Sequence, residues 1–140
     1  MYQPAFNKIH HIAIIAADYE KSRQFYVDIL GFSIIRENHR PEKGDIKLDL
    51  KMNEETEIEL FIKSDAPKRL TYPEAKGYRH LAIKTTNIEE DRNYLISQGV
   101  KVEEIRQDEI TDRKMLFFYF GEYHNLKPTK LCKQLYSQFF

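Results

Sequence analysis

The chain repeats itself. Sliding its 140 residues by 69 positions (80 − 11) lays His11-Ile12-Ala13-Ile14 over His80-Leu81-Ala82-Ile83, Asp18 over Asn87, Arg23 over Arg92 and Phe25 over Tyr94. A one-residue slip then sets Gly31 opposite Gly99. Two stretches with one pattern build two similar supersecondary units, so the repeat limits the fold more than any other feature. A chain of this length ordinarily makes a single domain. One domain over residues 1–140 is therefore expected, with a first half over about 8–63, a second over about 78–136, and a linker over 64–77 marked by Pro67, Pro73 and Gly77.

Each half opens with a short run rich in β-formers, Ile9 to Ala16 and His80 to Lys84. A helix follows each run. Asp18 and Asn87 have the side-chain oxygens an N-cap needs, and Glu90 stands three residues after Asn87, as in a capping box. Gly31 and Gly99 supply left-handed stops. Phe25, Tyr26 and Ile29 share one helix face, and Ile88 and Leu95 share another, so both helices are expected to pack on a sheet. Three strands come next in the first half: Phe32 to Glu37, the alternating Ile46-Lys47-Leu48-Asp49-Leu50, and Thr56 to Ile62. The second half offers Val100 to Ile105, Met115 to Phe120 and a short strand near Thr129 to Leu131.

Composition excludes several classes of function. Lys plus Arg and Asp plus Glu both number 22, so the long-range positive field that gathers nucleic acid or anionic lipid is lacking. Nucleic-acid and membrane partners are not expected. No stretch approaches the roughly 20 apolar residues of a membrane helix, and the single Cys132 cannot form an intrachain disulfide. A soluble cytoplasmic protein is the expectation.

In a strand, alternate residues share a face, so His10 and His11 should point opposite ways. The repeat selects His11, since that residue matches His80. Glu59 lies in the apolar run Glu57-Ile58-Glu59-Leu60-Phe61-Ile62, where a lone carboxylate is costly unless paired or ligating a cation. Two His and one Glu suit Zn, Ni, Co, Mn or Fe with positions left open. Spacing alone also allows structural histidines and a solvated edge-strand carboxylate.

Taken together, His11-Ile12-Ala13-Ile14, Phe25-Tyr26-Val27-Asp28-Ile29-Leu30-Gly31-Phe32, Ile58-Glu59-Leu60-Phe61 and Arg79-His80-Leu81-Ala82-Ile83 resemble the signatures of the vicinal oxygen chelate superfamily. This superfamily joins the glyoxalases, bleomycin-resistance proteins and certain dioxygenases. The resemblance runs from about residue 8 to residue 118 and is greatest to the lactoylglutathione lyase-like branch.

It implies an α+β, glyoxalase-like fold in which two βαβββ half-domains form a curved mixed β-sheet cavity. It also implies a divalent metal on His11, Glu59 and His80, with Glu59 catalytic as well. The implied activity is that of a lyase or isomerase on a small carbonyl compound or its thiol adduct, in a homodimer. A metal-free antibiotic-binding protein and an Fe(II) dioxygenase are the other activities the superfamily offers.

The chain departs from the family pattern at its end. Phe117-Phe118 is present, but Phe120-Gly121-Glu122-Tyr123-His124-Asn125 replaces the usual turn, and no second Glu-Leu pair follows. An overlay shifted by 71 (130 − 59) puts Lys130 where the family has a second Glu ligand. An ammonium has no lone pair for an ion, so weak lactoylglutathione lyase activity is expected. Glu122 and His124 are the nearby side chains that could substitute.

Overall fold

The computed structural model describes residues 1–67, 76–77, 80–120 and, as backbone, 131–137. The chain divides into two compact units, Met1–Pro67 and Lys68–Phe140. The first runs β1 (His11–Ala16), α1 (Tyr19–Arg23), β2 (Ser33–Arg40), β3 (Asp45–Lys51) and β4 (Glu57–Ile62). Its sheet has the order β1-β4-β3-β2. The β1–β4 pair is parallel and the other two are antiparallel.

Local chemistry explains the helix. Asp18 Oδ1 accepts from the Lys21 amide at 2.9 Å, meeting one of the donors a helix start leaves unpaired. α1 passes straight into a wider π-type stretch over Gln24–Ile29. Gly31, at φ +78°, ends it in the left-handed region that the absence of a Cβ makes accessible. Phe25 and Tyr26 are buried and meet edge to face at 5.1 Å.

Alternation along β4 then separates two faces. Ile58, Leu60 and Ile62 are buried, while Glu57, Glu59 and Phe61 are half-buried on the opposite side. The Tyr19 hydroxyl donates to Glu37, whose register partner is the fully buried Leu48. The helix therefore lies over the apolar face, leaving the Glu59 face uncovered by it.

The second unit repeats the plan with β5 (Leu81–Thr85), α2 (Ile88–Ser97), β6 (Lys101–Val102), β7 (Arg106–Gln107), β8 (Lys114–Phe120) and β9 (Leu131–Ser137). The order is β5-β9-β8-β6 with β7 also on β8, and β5–β9 is parallel. Asn87 caps α2 by accepting from the Glu90 amide at 3.1 Å, and Ile88, Leu95, Leu116 and Phe118 are buried.

The α+β reading and the order of strand, helix and further strands hold in both units. Two details differ from expectation. The strand expected over Val100 to Ile105 is shortened to β6, and β7 follows it as a separate piece, because Val102 pairs with Phe118 and Arg106 with Met115, leaving one residue too many on that side. The last strand starts at Leu131 and runs to Ser137, later and longer than the short run near Thr129 to Leu131. Most of the 64–77 linker, together with Arg79, Glu122, His124 and Lys130, lies outside the described residues.

Candidate functional site

The parallel pairing of β1 with β4 sets His11 beside Glu57 and Ala13 beside Glu59, so His11 and Glu59 share the uncovered face. His11 Nε2 stands 3.4 Å from Glu59 Oε2. The small, exposed side chain of Ala13 next to Glu59 keeps this pair accessible. A divalent ion held at about 2.0–2.2 Å by one nitrogen and one oxygen at tetrahedral angles spreads those atoms by roughly 3.4 Å. The spacing and the borderline N,O donor chemistry therefore fit such an ion.

His80, the third residue expected in the set, immediately precedes β5 and meets Phe117 edge to face at 5.7 Å. Within either unit, no three His, Cys, Asp or Glu side chains among the described residues gather closely enough to hold an ion.

His10 does not point away from His11 as strand alternation predicts. β1 begins only at His11, so His10 escapes the alternation, and the two Nδ1 atoms approach to 3.0 Å. One ring donates and the other accepts. With the Nδ1 of His11 engaged by its neighbour, Nε2 is the nitrogen left toward Glu59, as expected of a ligand whose second nitrogen is anchored.

Charged residues missed in the sequence surround Glu59. Lys47 Nζ lies 2.9 Å from Glu59 Oε1 and 3.4 Å from Asp49 Oδ1. Arg36 Nε donates to Asp49 Oδ2 at 2.6 Å. The Lys47 ammonium is held above its ordinary pKa by the Glu59 hydrogen bond foremost, against the effect of burial, with Asp49 acting in the same direction. Asp49 has a side chain only 2% exposed although it faces the polar side. The signal for these residues was present in the strict alternation from Ile46 to Leu50, which puts Lys47 and Asp49 on one face. What was lacking was the register that lays Asp49 beside Glu59.

Register also corrects the second half. Ala82 pairs with Gln134 as Ala13 pairs with Glu59, so the residue equivalent to Glu59 is Gln134 and not Lys130. The overlay failed because β9 starts later in its unit than the matching strand does in the first half.

Comparison with known proteins agrees with this architecture. The family profile described as Glyoxalase/Bleomycin resistance protein/Dioxygenase superfamily matches residues 8–126. The chain is 45% identical over 130 residues to the uncharacterized protein YwkD of Bacillus subtilis (strain 168), covering 93% of this chain and 96% of that protein. It is 44% identical over 131 residues to the uncharacterized protein YaeR of Escherichia coli (strain K12), covering 94% and 96%. Among solved structures, the glyoxalase family protein from Enterococcus faecalis is similar with a TM-score of 0.83 and 47% identity, covering 94% of this chain and 98% of that one. With a profile match across most of its length and relatives of this identity, the chain belongs to the glyoxalase/bleomycin resistance protein/dioxygenase superfamily.

Proposed function

We propose that this protein is a metal-dependent lyase or isomerase, lactoylglutathione lyase-like, acting on a small carbonyl compound or its thiol adduct. The observation that carries the reading is the His11 Nε2 to Glu59 Oε2 spacing of 3.4 Å on an open sheet face. His11, Glu59 and His80 are the proposed ligands. A bound Zn, Ni, Co, Mn or Fe ion would supply Lewis-acid polarisation of substrate oxygens.

The residues divide the remaining work. His10 fixes the ring of His11. Glu59 would help hold the ion, and its Oε1, next to Lys47, is the atom proposed to take a proton from the carbon beside the carbonyl and return it to the neighbouring carbon. Ala13 leaves the space a small substrate needs. Among the described residues, the outer edges of β1 and β2 carry no strand partner within their own sheet, which supports a homodimer as the working form.

Metal analysis of protein purified without chelator or affinity metal tests the assignment. About one divalent ion per chain is expected, falling sharply in His11→Ala and His80→Ala. Wild-type metal content in both variants would refute the ligand set. Sedimentation at tens of micromolar, on the order of ordinary assay concentrations, tests the dimer, and a monomer there rejects it.

A further inference from the structure

Lys47 occupies an unusual position for a cation. It sits between two carboxylates on adjacent strands, with one oxygen of each directed at it: Glu59 Oε1 at 2.9 Å and Asp49 Oδ1 at 3.4 Å. The first contact is a hydrogen bond. Asp49 Oδ1 is buried and has no close hydrogen bond, its nearest cation being Lys47 at 3.4 Å, whereas the other oxygen of the same carboxylate is bonded by Arg36 at 2.6 Å. A buried acceptor of this kind is normally satisfied, so its position at ion-pair range from the Lys47 ammonium, one step short of a close hydrogen bond, is informative. The side chain of Lys47 is 23% exposed, enough to leave its head room to shift.

We propose that Asp49 is the holding site for the Lys47 ammonium, so that when a divalent ion takes Glu59, Lys47 passes from Glu59 Oε1 to Asp49 Oδ1. This rests on the metal reading of Glu59 given above. In the absence of an ion, Lys47 serves as the internal counter-ion of Glu59 and prevents a lone carboxylate from facing the apolar edge of Phe61, over whose ring it lies at 5.7 Å. An incoming ion must displace it, because two cations at ion-pair range from one carboxylate repel each other. Arg36, bonded to Oδ2, holds Asp49 oriented with Oδ1 toward Lys47. The transfer leaves Glu59 Oε1 free, which is the oxygen the proposed proton transfer requires.

The test is a double-mutant cycle read by Zn²⁺ affinity, measured by competition with a chromophoric chelator and repeated with Co²⁺ alone. Asp49→Asn, isosteric and still able to accept from Arg36, should weaken Zn²⁺ binding by about 10-fold, at the lower end of what removal of an outer-sphere partner costs. Lys47→Met removes the competing ammonium, so Zn²⁺ should bind more tightly than to the wild type. In the Lys47→Met background, Asp49→Asn should change affinity by less than about 2-fold, since nothing is left to hand over.

An equal Asp49→Asn penalty in both backgrounds, or none in the wild type, overturns the proposal. If Asp49→Asn does not fold, Lys47→Met decides alone, and affinity that is unchanged or weaker overturns it. Failure of the wild type to bind Zn²⁺, or binding unaffected by His11→Ala, removes the metal reading itself. Binding without coupling removes only the hand-over.

Discussion

Gln134 and Glu59 hold equivalent positions in the two units but differ in chemistry. An amide oxygen can ligate an ion, yet an amide cannot act as a base at neutral pH. With Gln134 at the register position equivalent to Glu59, Gln134→Glu should tighten Zn²⁺ binding and raise isomerisation of the methylglyoxal–glutathione adduct by roughly 10²-fold, the lower end of general-base catalysis. Steady-state rates with saturating Zn or Ni decide this, and robust turnover by the unmodified protein counts against any need for a second carboxylate. His10→Ala should lower Zn²⁺ affinity less than His11→Ala does, because it removes an anchor and not a ligand. His11, Glu59 and His80 were legible as candidates, the first and last from the repeat and Glu59 from its apolar surroundings. Lys47, Asp49 and Gln134 were not, because their importance comes from cross-strand register, which a single chain does not display.

The elements themselves were mostly readable, because the signals that make them are local. Asp18 and Asn87 cap their helices through the amides three residues on, and Gly31 and Gly99 both take φ +78°. Asp18→Ala or Asn87→Ala should each cost about 1 kcal/mol, visible as a few degrees in the melting temperature. Leu60→Ala, at a fully buried position of the first sheet, should cost about 2–5 kcal/mol in urea unfolding. The irregularity of β2 was not readable. Ile34 pairs with Leu50 and Arg36 with Asp49, so Ile35 is extra. Without that bulge an isoleucine would stand beside Asp49. The bulge thus brings the guanidinium to a buried carboxylate, an outcome set by tertiary pairing and not by β-propensity.

At the scale of the whole molecule, acidic and basic residues are equal in number, and several pairs among the described residues shape its response to pH. Arg40 holds the Asp45 carboxyl below the ordinary carboxylate range, Tyr19 does so for Glu37, and Lys114 for Glu89. A carboxyl whose pKa is lower folded than unfolded contributes stability above its unfolded value and loses it as pH falls through the folded value. The Tyr19 hydroxyl, raised chiefly by its bond to Glu37, contributes below its ordinary value near 10 and loses that as pH rises through the folded one. Urea midpoints should therefore fall below about pH 4 and again above about pH 10. Asp45→Asn should flatten the acid limb, and an unchanged acid limb in that variant would count against the pairing. The parallel pairing of β1 with β4 also has a kinetic consequence. His11 lies at the start of the first unit's sheet and Glu59 near its end, so they meet only when the loop carrying α1, β2 and β3 has closed. Uptake of an ion by this pair during refolding would act as a clock for the latest step of the unit's assembly, and a chain cut short before β4 would leave β1 without its strand partner and take up nothing there.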